Sequence, residues 1–421
     1  MNLILITFML YLILNFLNPF KTISYDEAYY WVYSNKFELS YCSKPPMLSW
    51  LLILTKKIFT NKFYHLRVMS FILDLIFVVL SLFIIPFKSN NLLLLISSYF
   101  FLFKKYLYTT DSVLAIGNLL TIGSLYNLLC FKMNIYWIGI TIGTIYSIYS
   151  KQMGLILPLV ILFYTGLSNY YLFYLIISGL FFLPMYLNDS KNNNALVNHT
   201  VNSNLTNNVT KPSLINLLHY IVEQIFFVSP IIIYILYYHL VNIEFKYISI
   251  YPLIICGFLS IFKRINTNWT SIFWTNLILF SKFNNFNKNL LFYNILSFLV
   301  ISLILKFTNL SVRRKTDIYP EIMKELEYYQ NIFKIDRFCF ISCRKEGSYL
   351  WFYLNQQPIK LYTLNPPEDQ FDIWNLNIND FNKLGLLLND HDVKQRIENF
   401  EIIKEINLKH NHKLIIYQKL S

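Results

Sequence analysis

Apolar and polar positions alternate in long blocks along this chain, and eleven of the blocks are apolar enough to form membrane-spanning helices. These runs cover residues 3–20, 68–87, 91–103, 113–131, 135–149, 153–167, 171–187, 217–238, 246–262, 270–281 and 290–306. A helix needs about 20 residues to cross the hydrocarbon core, so the shorter runs require tilt or burial within a bundle. The pattern predicts a polytopic α-helical membrane protein with about 11 transmembrane helices in residues 1–306. The first run has no signal-cleavage pattern and is expected to be an uncleaved span.

The pattern changes near residue 307, where charged and strand-like stretches replace the long apolar runs. We expect helices at 311–330, 347–354 and 392–404, and strands at Phe338–Cys343, Ile359–Leu364 and Lys413–Tyr417. These elements predict a small soluble α/β domain over 307–421, which is within the usual size range of a domain.

The composition indicates a membrane protein that also has a polar region. Of the 421 residues, 55% are hydrophobic and 14% are charged, whereas soluble domains carry about 25% charged residues. The net charge of +13 suits anionic lipid headgroups or a phosphate, although ordinary solvated loops would give the same excess. No basic region is separate from the apolar runs, which argues against nucleic acid as a partner. The five cysteines indicate no disulfide framework.

The links between the runs sort into two classes. If the N-terminus is cytoplasmic, residues 21–67, 104–112, 150–152, 188–216, 263–269 and 307–421 lie outside, and the short links 88–90, 132–134, 168–170, 239–245 and 282–289 lie inside. The positive-inside rule does not favour this orientation, unless the external basic residues serve an anionic substrate. The link 188–216 is rich in asparagine and is expected to be either a lid over a site or disordered.

The first external link contains an acidic pair, Asp26 and Glu27, next to several aromatic residues. A carboxylate in a partly dry pocket can act as a general base toward an acceptor hydroxyl or amine. An acidic pair at the start of a helix equally well offsets the helix dipole. Position alone leaves these two interpretations at equal odds.

Two basic residues suit a phosphate at the membrane surface. Lys44 precedes Pro45 and Pro46, so its backbone is held extended, and a fixed ammonium can bind a phosphate. Arg67 opens the second apolar run and could bind the same phosphate. Without the rest of the motif, a lysine that reaches the interface and an arginine that anchors a helix end are the simpler interpretations.

Two further charges interrupt apolar runs. Asp111 begins the fourth run and Lys151 separates the fifth from the sixth. An ionisable group at membrane depth indicates a functional site by default. The alternatives are an N-cap role for Asp111 and an Asp111–Lys151 ion pair that only holds helices together.

The motifs together resemble a family, the polyprenyl-phosphate-sugar-dependent glycosyltransferases of the GT-C class, in the bacterial branch related to aminoarabinose transferases. The resemblance is carried in order along the chain by Asp26–Trp31, Tyr41–Met47, Arg67, Thr110–Ser112, Ser150–Gly154, Pro184–Asn188, Ser229-Pro230, Asn268-Trp269, Phe352–Leu354 and Gln370–Trp374. Each fragment alone is weak, whereas the ordered series is specific. Ser43 stands where those enzymes have an acidic residue.

The resemblance implies a GT-C fold and one-step inverting transfer of a sugar from a polyprenyl-phosphate donor to a lipid, glycan or protein acceptor. It implies catalytic roles for Asp26, Glu27 and Asp111, donor-phosphate binding by Lys44, Arg67 and Lys151, and a substrate pocket that includes Tyr29, Tyr30, Tyr41, Asn268 and Trp269. No metal ligands and no certain cofactor follow from it, and a divalent metal stays open.

These residues are expected to form one pocket on the periplasmic face of a bacterial inner membrane, in contact with membrane lipids. The competing hypothesis is a transporter or flippase of a lipid-linked saccharide, which would also need charges at membrane depth. A transporter often has repeated halves, and this sequence has no evident repeat.

Overall fold

The computed structural model describes residues 23–84, 109–201, 212–228, 246–262, 273–274, 312–341, 344–361, 369–374, 376–388 and 397–420. The chain divides into two compact units. The first unit comprises Met1–Pro19, Lys44–Leu187 and Thr200–Phe307. The second comprises Phe20–Ser43, Asn188–His199 and Thr308–Ser421. Segments of the link that follows the first apolar run and of the Asn-rich link therefore belong to the same unit as the C-terminal region.

The first unit is helical over its described residues. Its helices are α2 (Met47–Ile58), α3 (Lys62–Ile84), α4 (Thr110–Phe131), α5 (Tyr136–Ser150), α6 (Leu157–Thr165), α7 (Asn169–Lys191), α9 (Leu214–Val228) and α10 (Lys246–Ser260), and a 3₁₀ turn, Gln152–Ile156, separates α5 from α6. Within the described residues, Lys62–Ser81, Thr110–Phe131 and Asn169–Lys191 are long and apolar enough to cross a membrane. The expected runs at 3–20, 91–103 and 290–306, and most of 270–281, lie outside the described residues.

Small residues bring α4 and α5 into close antiparallel contact. A Cβ atom on Gly143 would lie 2.6 Å from the backbone nitrogen of Thr121, and one on Gly117 would lie 2.8 Å from that of Ser147. No larger side chain fits at these positions without moving a backbone. Small residues at such spacing allow helix axes in a membrane to approach closely, and this contact brings the start of α4 beside the end of α5.

The C-terminal ends of α3 and α4 also lie side by side. The Asn127 side-chain amide donates to the carbonyl oxygen of Ile84 at 3.1 Å. A Cβ on Gly123 would collide with the Ile84 side chain. The two helices therefore run in the same direction.

The second unit contains a five-stranded sheet with the order β2-β1-β3-β5-β4. The strands are β1 (Arg337–Phe340), β2 (Ile359–Lys360), β3 (Lys383–Leu388), β4 (Phe400–Asn407) and β5 (Lys413–Lys419). β1 is parallel to β2 and β3, and β5 is antiparallel to β3 and β4. Helix α11 (Val312–Phe333) precedes β1 in the chain, and helix α12 (Arg344–Leu354) lies between β1 and β2. A short helix, α13, covers Gln370–Ile373.

Two elements of this unit differ from the sequence expectation. The helix expected at 392–404 is wrong over residues 400–404, which form the start of β4. Pairing with β5 along Phe400–Asn407 overrides the local helix propensity, and a strand at Lys383–Leu388 had not been expected. The sheet core is formed by alternate residues of neighbouring strands, including Cys339, Ile359, Leu384, Leu386, Ile415 and Tyr417.

The link that follows the first apolar run contributes a helix, α1 (Tyr25–Tyr33), to the second unit. The indole of Trp31 meets Phe352 of α12 edge-on, with ring centroids 5.2 Å apart. Tyr349, also on α12, donates its hydroxyl to the carbonyl oxygen of Ile23 at 3.4 Å. These contacts explain why the link belongs to the same unit as the C-terminal sheet.

The Asn-rich link is partly helical. Helix α8 covers Ala195–Val201, and Asp189 accepts hydrogen bonds from the backbone amides of Leu196 and Val197 at 2.7 and 3.2 Å. Asn188 donates to Ser40 Oγ at 2.9 Å. Residues 188–201 are therefore an ordered element with specific polar contacts, and residues 202–211 lie outside the described range.

Candidate active site

An ion pair between Asp111 and Lys151 is largely buried in the first unit. Lys151 Nζ lies 2.5 Å from Asp111 Oδ1, and each side chain is 9% exposed. Asp111 is in the first turn of α4 and Lys151 is the residue that ends α5. A carboxylate at a helix start and an ammonium at a helix end each interact favourably with the helix dipole, so both charges are in their preferred places.

The backbone around Lys151 is tightly packed. Lys151 is extended (φ −159°, ψ 146°) between α5 and the 3₁₀ turn. Its amide donates to the carbonyl oxygen of Ser147, and its own carbonyl accepts from the Gly154 amide at 2.9 Å. A Cβ on Gly154 would lie 2.5 Å from the Ser147 carbonyl carbon. Only glycine fits there, and the turn directs the lysine side chain to Asp111.

Lys44 and Arg67 are both half-buried in the first unit. Lys44 lies at the entry to α2, directly before Pro45 and Pro46, and Arg67 is in the second turn of α3. The rings of Trp50 in α2 and Tyr149 in α5 are 5.4 Å apart. This contact brings the start of α2 beside the end of α5.

Contacts between helices relate the elements that carry these charged residues. Arg67 and Asp111 lie at similar distances, roughly 25 Å by helical rise, from the Ile84–Asn127 contact at the other end of α3 and α4. Asp111 is bonded to Lys151, and Lys44 is six residues before the Trp50 contact. These contacts join Asp111 directly to Lys151 and bring the start of α2, which follows Lys44, beside the end of α5. A single site that holds Lys44 and Arg67 together with this pair stays a prediction.

The predicted acidic pair lies in the second unit, where its two members have different surroundings. Glu27 is fully buried and forms a capping box with Ser24. Its carboxylate accepts from the Ser24 amide at 2.9 Å, and Ser24 Oγ accepts from the Glu27 amide at 3.2 Å. Asp26 is exposed. Glu27 thus has a demonstrated structural role at the start of α1, whereas Asp26 is available to solvent.

The tyrosines expected to line a substrate pocket are buried in the second unit. Tyr29, Tyr30 and Tyr41 are 3%, 6% and 1% exposed. Tyr33 stacks on Tyr41 with centroids 4.6 Å apart and packs against Tyr29 at 4.5 Å. Burial raises the pKa of Tyr33 well above its usual value. These rings form the packed interior behind α1.

Two of the predicted pocket residues, Asn268 and Trp269, lie outside the described residues. Among the residues that the structure does describe, no group of three or more His, Cys, Asp and Glu side chains could hold a metal ion.

The second unit contains a buried group of polar residues that were not predicted from the sequence to be functional. Gln370, in α13, is 1% exposed and hydrogen-bonds to the first external link. Lys360 is buried between two carboxylates, 3.0 Å from Asp369 Oδ2 and 2.8 Å from Asp372 Oδ1. The only sequence signal for Gln370 and Asp372 was that Gln370–Trp374 is one of the fragments carrying the family resemblance, and Lys360 and Asp369 had none.

Comparisons with known proteins establish the fold. The chain is similar to the crystal structure of ArnT from Cupriavidus metallidurans bound to undecaprenyl phosphate, with a TM-score of 0.60 and 12% sequence identity over 98% of this chain and 97% of that chain. The same protein in the apo state gives a TM-score of 0.57 at 11% identity, with the same coverage. The sequence matches no protein-family model and no curated protein.

At this level of identity the likeness establishes a shared fold. The GT-C-type polytopic membrane fold implied by the sequence motifs is therefore confirmed. Together with the long apolar helices, it makes the chain an integral membrane protein.

Proposed function

We propose that this protein is an inverting glycosyltransferase that moves a sugar from a polyprenyl-phosphate donor to a lipid, glycan or protein acceptor. The observation that carries the proposal is the largely buried Asp111–Lys151 ion pair between α4 and α5 in the first unit, to which we propose that Lys44 and Arg67 add further positive charge. The fold supports it, because ArnT with this fold was crystallised with undecaprenyl phosphate.

The donor phosphate is the group that such a set of cations suits. When the sugar leaves, negative charge develops on the phosphate, and fixed positive charge at that point lowers the barrier. Arginine offers a planar fork of donors and lysine a compact point charge, and both bind phosphate. Lys44, Arg67 and Lys151 are proposed to hold this leaving group.

Asp111 is proposed to position Lys151. A lysine ammonium has three N–H donors, and the bond to Asp111 Oδ1 uses one of them. Two donors remain to bind phosphate oxygens. Because the pair is largely buried, its interaction with a bound phosphate is screened less than at the surface.

On the acceptor side, Asp26 is proposed as the group that orients or deprotonates the acceptor. Its carboxylate is exposed at the start of α1, and a positioned carboxylate can accept a proton in the transition state. Glu27 supports it by capping the helix that carries it. Direct attack of the acceptor on the anomeric carbon inverts the configuration of the sugar.

The proposed setting is a bacterial inner membrane, with the reaction on the periplasmic face. The partners would be the lipid-linked donor, an acceptor of the cell envelope and the surrounding membrane lipids. A glycosylation role in lipopolysaccharide or on protein follows from the same proposal.

The proposal is tested in cells by comparing lipid and glycan mass spectra of the host with and without the gene. Loss of the gene is expected to remove one modified acceptor and to accumulate one polyprenyl-phosphate sugar. Re-expression of Lys151→Met should leave the defect in place, and Lys57→Met, an exposed lysine at the end of α2, should repair it. Identical spectra with and without the gene would reject the proposal.

A further inference from the structure

Gln370 joins two separate parts of the first external link. Its side-chain oxygen Oε1 accepts a hydrogen bond from the backbone amide of Cys42 at 2.8 Å. Its own backbone amide donates to the hydroxyl of Tyr29 at 3.4 Å. All three residues are buried, with 1% of Gln370, 1% of Cys42 and 3% of Tyr29 exposed. One residue of α13 therefore touches both α1 and the stretch that follows it.

The two contacted residues lie next to proposed site residues in the chain. Tyr29 is three positions after Asp26, which is about one turn of α1. Cys42 is two positions before Lys44. Tyr33 adds a further link, because its hydroxyl is hydrogen-bonded to Ser43 Oγ at 2.6 Å. The backbone between Asp26 and Lys44 is thus held at its beginning and at its end.

Gln370 is itself held by a buried charged cluster. Asp369 caps α13 by accepting from the amides of Phe371 and Asp372 at 2.9 and 3.3 Å. Lys360 of β2 bonds to both carboxylates, and its side chain is 2% exposed. Burial alone would lower the pKa of Lys360, but the two carboxylates outweigh it and raise the pKa. The lysine is charged at neutral pH and fixes α13 to the sheet.

We propose that Gln370 is a positioning residue for the transfer reaction, which acts by fixing the first external link that carries Asp26 and leads to Lys44. The inference rests on the proposed function and deepens it. The C-terminal sheet thereby supports the reaction, because it holds α13, and Gln370 of α13 is hydrogen-bonded to Cys42 and Tyr29. No contact between Gln370 and substrate is required.

Positioning predicts a specific kinetic signature. A displacement of about 1 Å in a reacting group can cost a factor of about 100 in rate. Gln370→Met removes the acceptor for the Cys42 amide and keeps the volume of the side chain. The full-length variant is expected to lower kcat roughly 10- to 100-fold, with the KM for an undecaprenyl-phosphate-linked sugar nearly unchanged. Gln370→Glu, which retains a side-chain oxygen for Cys42, should restore most of the lost kcat.

A second measurement reports the contact without relying on activity. Hydrogen exchange followed by mass spectrometry should show faster exchange of the peptide containing Cys42 in Gln370→Met than in wild type. Gln330→Met is the matched control, because Gln330 is a half-buried glutamine of α11 in the same unit that bonds to Ile335. It should change neither kcat nor exchange at Cys42.

The outcomes separate the two levels of the argument. A wild-type protein that releases no polyprenyl phosphate with any donor and acceptor would overturn the proposed function, and with it the role of Gln370 in transfer. An active wild type with unchanged kcat and unchanged exchange in Gln370→Met would overturn the role of Gln370 alone. A rise in KM with constant kcat, or failure of Gln370→Glu to recover activity in a folded protein, would also overturn it.

Discussion

Lys151 Nζ lies 2.5 Å from Asp111 Oδ1, with both side chains 9% exposed. The two residues are 40 positions apart in sequence and meet because α4 and α5 pack antiparallel through small residues. A buried ion pair pays a large desolvation cost, and replacing both partners by neutral groups is often harmless to stability. A gain in stability is therefore a weak explanation for this pair, and we propose instead that it binds the donor phosphate.

Removing one partner of this pair should damage both fold and activity. Lys151→Met leaves the Asp111 carboxylate buried without its counter-charge, which costs about 3–5 kcal/mol of unfolding free energy. We expect a lower midpoint of thermal unfolding in detergent and no measurable sugar transfer. An unchanged midpoint would show that solvent reaches Asp111 in the folded protein.

The double variant Asp111→Asn, Lys151→Met separates structure from chemistry. Without either charge the desolvation cost disappears, so the unfolding midpoint should return close to that of wild type. Transfer should stay below detection, because no cation remains there for the phosphate. A stable double variant with wild-type turnover would mean that the pair has no part in sugar transfer.

The acidic pair at the start of α1 should divide into a chemical and a structural member. Asp26→Asn is expected to abolish transfer and to leave the unfolding midpoint unchanged, because Asp26 is exposed. Glu27→Ala should cost about 0.5–2 kcal/mol of unfolding free energy through loss of the cap. Glu27→Gln should keep most of the activity, because glutamine can also complete a capping box. Full turnover in Asp26→Asn would remove Asp26 from the reaction.

The sequence contained enough information for the fold class and for part of the site. Apolar runs predicted α4, α5 and α7 within a few residues, because burial in a membrane imposes long uninterrupted apolar stretches. The capping role of Glu27 was open to prediction as well, since Ser24 stands three residues before it in the capping-box pattern. The competing hypothesis of helix capping is confirmed for Glu27.

Other features depend on distant contacts that no local pattern records. Gln370 and Cys42 are 328 positions apart, and neither has a distinctive neighbourhood in sequence. The strand β4 was missed because residues 400–404 acquire strand structure from pairing with β5. Strand preference depends on such cross-strand neighbours more than on the residue itself.

The glycine contact between α4 and α5 should be essential to the site. Gly143→Leu would force a side chain against the Thr121 backbone, and overpacking of this kind costs about 1–3 kcal/mol or more. We expect α4 and α5 to move apart near residue 143 and the rate of sugar transfer to fall. The matched control is Gly179→Leu in α7, where a Cβ meets nothing within 4 Å. Equal activity and equal unfolding midpoints in the two variants would contradict the packing account.

The buried cluster around Lys360 predicts a pH-dependent defect. Burial raises the pKa of Asp369, and Lys360 opposes that rise. In Lys360→Met the opposition is lost, so the folded state holds a proton on the Asp369 carboxyl more tightly than the unfolded state, where the ordinary pKa of Asp369 is 3.8. Stability is then favoured below that value and lost as the pH rises through the folded pKa.

The measurement is the unfolding midpoint of wild type and Lys360→Met between pH 4 and pH 8. Relative to wild type, we expect the unfolding free energy of Lys360→Met to be lower by about 3–5 kcal/mol near neutral pH. This difference should shrink as the pH falls toward 4. A deficit that is constant over this range would show that the carboxylates do not carry the buried charge.

The most direct test of the account is turnover of purified protein in lipid vesicles that contain an undecaprenyl-phosphate sugar labelled in the sugar. We predict release of free undecaprenyl phosphate and movement of the label to an acceptor, with inverted anomeric configuration, in wild type and not in Asp111→Asn, Lys151→Met. Recovery of the labelled donor intact, whether in its original leaflet or in the opposite one, across the range of lipid-linked sugars and acceptors would contradict the account.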